Sequence, residues 1–387
     1  MLTNRTDTLR VVIAPDSFKE CLAAEQVAQA IARGWRQAAP DDQLVTVPLA
    51  DGGEGTTRAL TEARRGQLHT VKVTGPMGEL VSAHYGLVND GEIAIVEVAE
   101  ASGLHCVPAR SRNALTASSV GTGELILAAL EHKPKTLIMG LGGSATTDGG
   151  AGILQALGAR LLDHGGHPIP GGGNGLAELA SLDLAPALDR LAGVNLVVAC
   201  DVNNPLLGPN GAAAVFGPQK GADSRQVVEL DRNLGHFARL VEQQGMDIAS
   251  FPGSGAAGGI GGMIAGILGA ELRPGIELVM ETVELESHLA QADLVITAEG
   301  AIDSQSAYGK TPAGVASLAK KYGVPVIGLA GKLGAELGEL HRLGLSAAFS
   351  ITPAPMELQE AYTQAADNLE TTAGQLARLV HSVSGRR

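Results

Sequence analysis

The stretch that most constrains the fold is Gly140–Gly150, GLGGSATTDGG, because of what flanks it. The apolar run Thr136–Gly140 reads as a short buried strand. The segment that follows, AGILQALGARLL, carries apolar residues at Ile153, Leu154, Leu157, Leu161 and Leu162, which is helical spacing. A glycine-rich turn therefore sits where a strand hands over to a helix. Glycines there let backbone N–H groups approach an anion closely, and the helix start adds the positive end of a dipole. Gly142, Gly143 and Ser144 are candidate donors to such an anion. Asp148 is a candidate magnesium ligand, since hard cations prefer carboxylate oxygen. A tight turn with a helix cap is the alternative for one such loop, but this chain has several.

The same alternation recurs at both chain ends. LRVVIAPDSF is a strand and a turn, Leu22 to Trp35 has helical spacing, and Leu44–Leu49 is a second strand that ends in ADGGEG. Thr56 to Ala63 starts another helix. This βαβα order implies parallel strands. Near the other end, Asp293-LVITAEG is a strand closing in an acidic turn. Thr311-PAGVASLAKKYG is a helix with Pro312 in its first turn, where proline is tolerated. Pro325-VIGLAG and Ala347-AFSITPAP are further strands, and Leu358 to Val383 is a long helical pattern. The middle differs, with paired strand signals around turns such as Asn89–Gly91. The expected organisation is α/β. One parallel-sheet domain is built from both ends (1–72 and 285–387), and a mixed α/β domain (73–284) is inserted between them. At 387 residues the chain is long enough for two domains of roughly 100–200 residues each. A cleft between domains is a favoured place for a small-ligand site.

Composition narrows the function class. The formal charge of −13 argues against general nucleic-acid binding, which needs a basic face. Cys21, Cys106 and Cys200 are far apart with no CxxC pair, which suits free thiols in a reducing cytoplasm. No charged residue lies between Asp247 and Glu271, but the segment is crowded with glycine. Its apolar part, Ile260–Gly269, is too short against the roughly 20 residues that span a membrane. No HxxxH or CxxC spacing marks a transition-metal site. No G-x-S-x-G elbow marks a serine hydrolase. No G-x-G-x-x-G follows the first strand.

Further turns carry chemistry. In PDSFKE, Asp16 and Ser17 suit a helix N-cap. They also stand at a strand's carboxyl end, where α/β sheets bind ligands, and Lys19 would reach a phosphate or carboxylate there as a point charge. In ADGGEG, Asp51 and Glu54 are candidates for substrate or metal. Asp201 ends the strand Leu196–Cys200, a place for a general base or metal ligand, with Asn203 and Asn204 as hydrogen-bonding support. Lys220, in GPQKGA, is a candidate for anion neutralisation. AEGAIDSQSAYGKTPAGVA ends in GKT but is not a P-loop, because Ser304 stands where that motif needs glycine. Even so, Gly309 and Lys310 precede a helix, with Glu299 and Asp303 nearby, and Lys310 on a nucleotide phosphate is the sharp reading. A lysine at a surface helix start is the dull one, although a cation there opposes the dipole.

VIAPDSFKE, PLADGGEGT, GLGGSATTDGGAG, DVNNPLLGPNGAA with FGPQKGA, and AEGAIDSQSAYGKTPAGVA stand in this order between Val12 and Ala316, in a resemblance that spans Val12 to about Val383. Together they resemble the type I glycerate kinases, the bacterial glycerate 2-kinase family. Cys21 stands where serine is common in that family, and Thr147 where asparagine is common. The resemblance implies a flavodoxin-like domain from both chain ends with the second domain inserted. It implies transfer of the γ-phosphoryl of ATP to D-glycerate, with magnesium, giving 2-phosphoglycerate. On that reading Gly142, Gly143 and Ser144 serve the ATP phosphates, with Gly309, Lys310 and Lys220 also on the nucleotide. Lys19 and Lys310 neutralise charge, and Asp201 orients or deprotonates the substrate hydroxyl. Asp16, Ser17, Asp51, Glu54 and Asn203 face the substrate. Asp148 is the first choice for magnesium, with Glu299 and Asp303 beside it. The alternatives are transfer to the 3-hydroxyl, a kinase for another small hydroxy acid, and, from another class, a non-catalytic phosphate-ligand sensor.

Overall fold

The structure is a computed structural model that describes residues 8–19, 21–50, 53, 55–307 and 309–384. Its strands in chain order are β1 (Arg10–Ile13), β2 (Gln43–Thr46), β3 (Gln67–Thr74), β4 (Leu80–Val88), β5 (Ile93–Glu97), β6 (Thr136–Gly140), β7 (Arg160–Leu162), β8 (Ser181–Asp183), β9 (Asn195–Ala199), β10 (Glu271–Arg273), β11 (Leu294–Ile302), β12 (Val326–Leu333) and β13 (Leu345–Ser350). The chain packs as two compact units, residues 1–51 with 276–387 and residues 52–275.

The first unit holds a five-stranded parallel sheet in the order β13-β12-β11-β1-β2. Val11, Ile13, Leu294, Ile296 and Leu329 are buried in its core. Strands covered on both faces read as continuous apolar runs, which is why LRVVIAP and LVITA look as they do. The helix Ala24–Ala38 buries Val27, Ala28, Ile31 and Trp35, and Pro40 follows its end. It packs on the C-terminal helix Ala365–Ser384. The approach is close enough that a Cβ on Gly34 would lie 1.9 Å from the Glu370 carbonyl oxygen, so only glycine fits.

The acidic turn expected at Glu299 is instead strand. β11 continues to Ile302, with Glu299 paired to Ala330 and Ala301 to Lys332 of β12. The periodicity that marks the apolar half of β11 stops at Ala298. The ladder with β12 carries the polar half.

The second unit holds a six-stranded mixed sheet, β10-β9-β6-β5-β4-β3. β3, β4 and β5 run antiparallel in succession, and β5, β6, β9 and β10 run parallel. Asn89, Asp90 and Gly91, all at positive φ, turn β4 into β5. Such φ values suit Asn, Asp and Gly, which is what the sequence supplies. The helix Thr56–Ala63 packs on β4 and β5. Its sequence looked like a continuation of the N-terminal βαβα pattern, but its apolar face is covered here. A separate pair, β7 and β8, is antiparallel.

The uncharged segment after Asp247 is buried core. Ile260, Met263 and Ile264 are at most 1% exposed in the short helix Ile260–Gly266. Among the described residues no helix is long and apolar enough to cross a membrane.

Candidate active site

In the first unit the chain leaves β1 still tied to the sheet, with Ala14 N–H donating to Ile296 O and Asp16 N–H to Ala298 O, each at 2.8 Å. Asp16 is 4% exposed. Its Oδ1 accepts from Ser17 N–H at 2.6 Å and from the Ser17 hydroxyl at 3.2 Å. Its Oδ2 accepts from the Thr311 hydroxyl at 2.6 Å. The next helix starts only at Ala24, so Asp16 and Ser17 do not cap it. Asp16 instead anchors the first residue of the helix Thr311–Lys321, a favourable place for a carboxylate.

Lys310 is the residue before that helix, and Gly309, at φ +76°, turns the chain into it. The Lys310 ammonium lies 3.0 Å from Glu299 Oε1, and the Ser306 hydroxyl lies 3.4 Å from Glu299 Oε2. The cation that opposes the helix dipole is thus offset by a carboxylate from β11. Asp303 closes the turn after β11, accepting from Gln305 N–H at 2.9 Å, and is half-buried. Lys19 is exposed. Ser17, Lys19, Glu299 and Lys310 all line one cavity of about 390 Å³. Asp51 and Glu54 lie outside the described residues.

In the second unit the glycine-rich loop leaves β6 at Gly140. From 141 to 150 only Gly142 and Gly143 escape burial, so they are the part that can meet a ligand. Gly143 has φ +72°. Ser144 is 6% exposed. Lys220 Nζ donates to Ser144 Oγ at 2.9 Å and to Thr146 O at 2.6 Å. Lys220 itself is 1% exposed, so its ammonium braces the loop from beneath. Burial pushes its pKa down to about 7, against the pull of the Asp148 charge.

Asp148 is fully buried. Its Oδ2 accepts from Ser119 N–H and the Ser119 hydroxyl at 2.8 Å each and from Gly152 N–H at 3.3 Å. Its Oδ1 accepts from Gly150 N–H at 3.1 Å. Burial raises its pKa, and these donors oppose the rise. A metal would have to displace several of them and reach a site closed to water. The geometry is that of a cap on the helix Ala151–Ala156, not of an open ligand.

Asp201 follows β9 and is exposed, with Oδ1 accepting from Gly275 N–H at 2.8 Å. Asn203 is exposed beside it. Asn204 is tied into its own loop through the Asn210 carbonyl at 2.9 Å.

Glu97 is a residue that motif reasoning passed over. It ends β5, in register with Gly140 where the glycine-rich loop begins. It is 2% exposed and accepts from Gly55 N–H at 3.0 Å and from Thr57 N–H. It therefore pins the turn after ADGGEG to the sheet end. Burial is the largest influence on its pKa, which rises to about 7. The available signal was an acid closing an otherwise apolar strand, IAIVE.

A family model described as the glycerate kinase family matches residues 11–381. The chain belongs to the glycerate kinase family. Within this family it is 51% identical to Escherichia coli glycerate 2-kinase, over 93% of this chain and 95% of that protein. It is 50% identical to the glycerate kinase of Halalkalibacterium halodurans, over 95% of this chain and 97% of that one. A crystal structure of a Salmonella typhimurium LT2 protein with the provisional name glycerate kinase 2 aligns with TM-score 0.90 and 48% identity. That alignment covers 98% of this chain and all of the other. Cys21 and Thr147 both sit in defined surroundings. The Cys21 thiol donates to Tyr362 O at 3.2 Å. Thr147 is fully buried, and among the described residues its hydroxyl has no hydrogen-bond partner.

Proposed function

We propose that this chain transfers the γ-phosphoryl group of ATP to the 2-hydroxyl of D-glycerate. The observation that carries the reading is identity of about one half, along nearly the full chain, to proteins named glycerate kinase. Phosphoryl transfer needs positioning and charge neutralisation more than covalent chemistry. We assign both tasks to residues of the two units. Lys19 and Lys310 neutralise phosphate or carboxylate charge. Gly142 and Gly143 offer backbone donors to an anion, and the buried Ser144 hydroxyl, which accepts from Lys220, supports them. Asp201, exposed at a strand end, orients or deprotonates the attacking hydroxyl, with Asn203 beside it.

Among the described residues no group of three or more His, Cys, Asp or Glu is placed to hold a metal. A magnesium ion arriving on the nucleotide needs only one or two carboxylates and keeps phosphate and water oxygens. We assign Glu299, which also pairs with Lys310, and Asp303 to it; magnesium there would shield phosphate charge. Asp148 and Lys220 are assigned instead to holding the loop. Cys21, Cys106 and Cys200, in no CxxC pair and no disulfide, suit a cytoplasmic enzyme.

A coupled assay with D-glycerate, ATP and magnesium tests the reading, with the product identified by phosphorus NMR. A 2-phosphoglycerate signal is expected. A 3-phosphoglycerate signal overturns the regiochemistry. No ATP consumption with glycerate overturns the function.

A further inference from the structure

The cavity of about 390 Å³ in the first unit lies at the carboxyl ends of β1, β11, β12 and β13. In the order β13-β12-β11-β1-β2 the chain moves from β1 outward to β2, and from β11 the opposite way to β12. The connections after β1 and β11 therefore diverge. Such a switch point leaves a crevice, and open parallel sheets bind their ligands there. Ser17, Phe18 and Lys19 line it from the first connection, and Glu299, Gly300 and Ala301 from the carboxyl end of β11 itself.

The lining is of two kinds. The strand-end segments and the helix start contribute three lysines, Lys19, Lys310 and Lys332, against one carboxylate, Glu299. The C-terminal segment contributes Leu358, Ala361, Tyr362 and Ala365, with Ile351 beside them and Asn368 as a side-chain amide. A three-carbon acid is small and polar, and it gains nothing from an aliphatic and aromatic wall. A nucleotide needs both kinds of surface, a flat apolar face for the base and cations for the phosphates. Apolar lining with a few placed polar groups, at about 300 Å³ or more, is the usual character of such sites.

Resting on the proposed ATP-dependent reaction, we propose that this cavity takes the nucleoside end of the nucleotide. The base lies against Leu358, Tyr362 and Ile351, with the Asn368 amide reading its edge. The phosphates point to Lys19 and Lys310. This assigns the segment 358–368 to nucleotide binding, a role that no motif in it announces.

The test is calorimetric titration of ADP into the whole protein and into the variants Ala361→Trp, which fills the cavity, and Leu358→Asp, which puts a charge on its wall. Leu358 is 65% exposed, so the second variant folds whether or not the first does. The expected result is a rise of about tenfold or more in the ADP dissociation constant, matched by the KM for ATP, with the KM for glycerate unchanged. Unchanged ADP affinity in folded variants overturns the proposal. So does a rise confined to the KM for glycerate. ADP titration needs no turnover, so it stands apart from the glycerate assay: a wild-type protein that binds ADP here yet leaves glycerate untouched overturns the function and keeps the cavity assignment.

Discussion

The ammonium of Lys220 lies 2.9 Å from the hydroxyl of Ser144, sealed from water beneath the glycine-rich loop. A lysine that the sequence offers as a ligand for phosphate is thus spent on the protein. Its third contact of consequence is electrostatic, with the Asp148 carboxylate. Between them the two residues hold both ends of the Ser144–Asp148 segment.

Replacing Lys220 by methionine keeps most of the volume and removes the donor. The Ser144 hydroxyl and the Thr146 carbonyl then lose their buried partner, and a loss of about 2–4 kcal/mol is expected. The effect carries a pH signature. Folded Lys220 releases its proton near 7, whereas in the unfolded chain it does so near 10.5. Between these values the unfolded chain binds more protons, so the contribution of Lys220 to stability rises with pH across that window and falls away as pH drops through 7. Urea unfolding of wild type and K220M at a series of pH values checks this. A wild-type advantage that does not grow with alkalinity sinks it.

Glu97 has the opposite sense. Its folded pKa of about 7 stands above its ordinary 4.5, so the folded chain holds the extra proton in between. Its contribution is full below about 4.5 and is lost as pH rises through 7, an effect on the order of 3 kcal/mol. In E97Q that slope should flatten. Parallel slopes for the two proteins between pH 4.5 and 7 would show that Glu97 titrates normally.

Asp148 separates a cap from a metal ligand. Asn at this position loses one acceptor oxygen and turns an N–H₂ group toward Ser119, Gly150 and Gly152, which are all donors. A drop in stability of about 2–4 kcal/mol is expected. The magnesium concentration that half-saturates the remaining activity should not move. Thermal unfolding and a magnesium titration of D148N check the two halves. A stable variant with weakened magnesium dependence returns Asp148 to the metal.

Asp201→Asn tests the proposed base. A properly positioned general base is worth about 10²–10⁴ in rate. Turnover should fall in that range while the KM for glycerate changes little. Near-normal turnover removes Asp201 from the chemistry.

Local order was legible in the sequence because it is written in local spacing. The run Thr136–Gly140 followed by glycines and then by residues at helical spacing is β6, its loop and the helix Ala151–Ala156. The hairpin at Asn89–Gly91 follows from residues that tolerate positive φ. The strand β10 had no such signal: three residues, ELR, become strand because they pair with Val197–Ala199. Glu97 escaped notice for a related reason. Nothing adjacent to it in sequence says that the N–H groups of Gly55 and Thr57 will arrive at its carboxylate.

By itself the sequence determined the α/β class, the succession of strands, turns and helices, and membership in the glycerate kinase family through five ordered blocks. The tertiary structure decided what the charged residues in those blocks do. Asp148 meets Ser119 from 29 positions away, Lys220 meets Ser144 from 76, and Asp16 meets Thr311 from 295. Spacing along the chain governs which face of a helix or strand a residue occupies. Burial and hydrogen-bond partners are set by segments that approach only when the sheets assemble, and burial is what turns a carboxylate or an ammonium from a ligand into a strut.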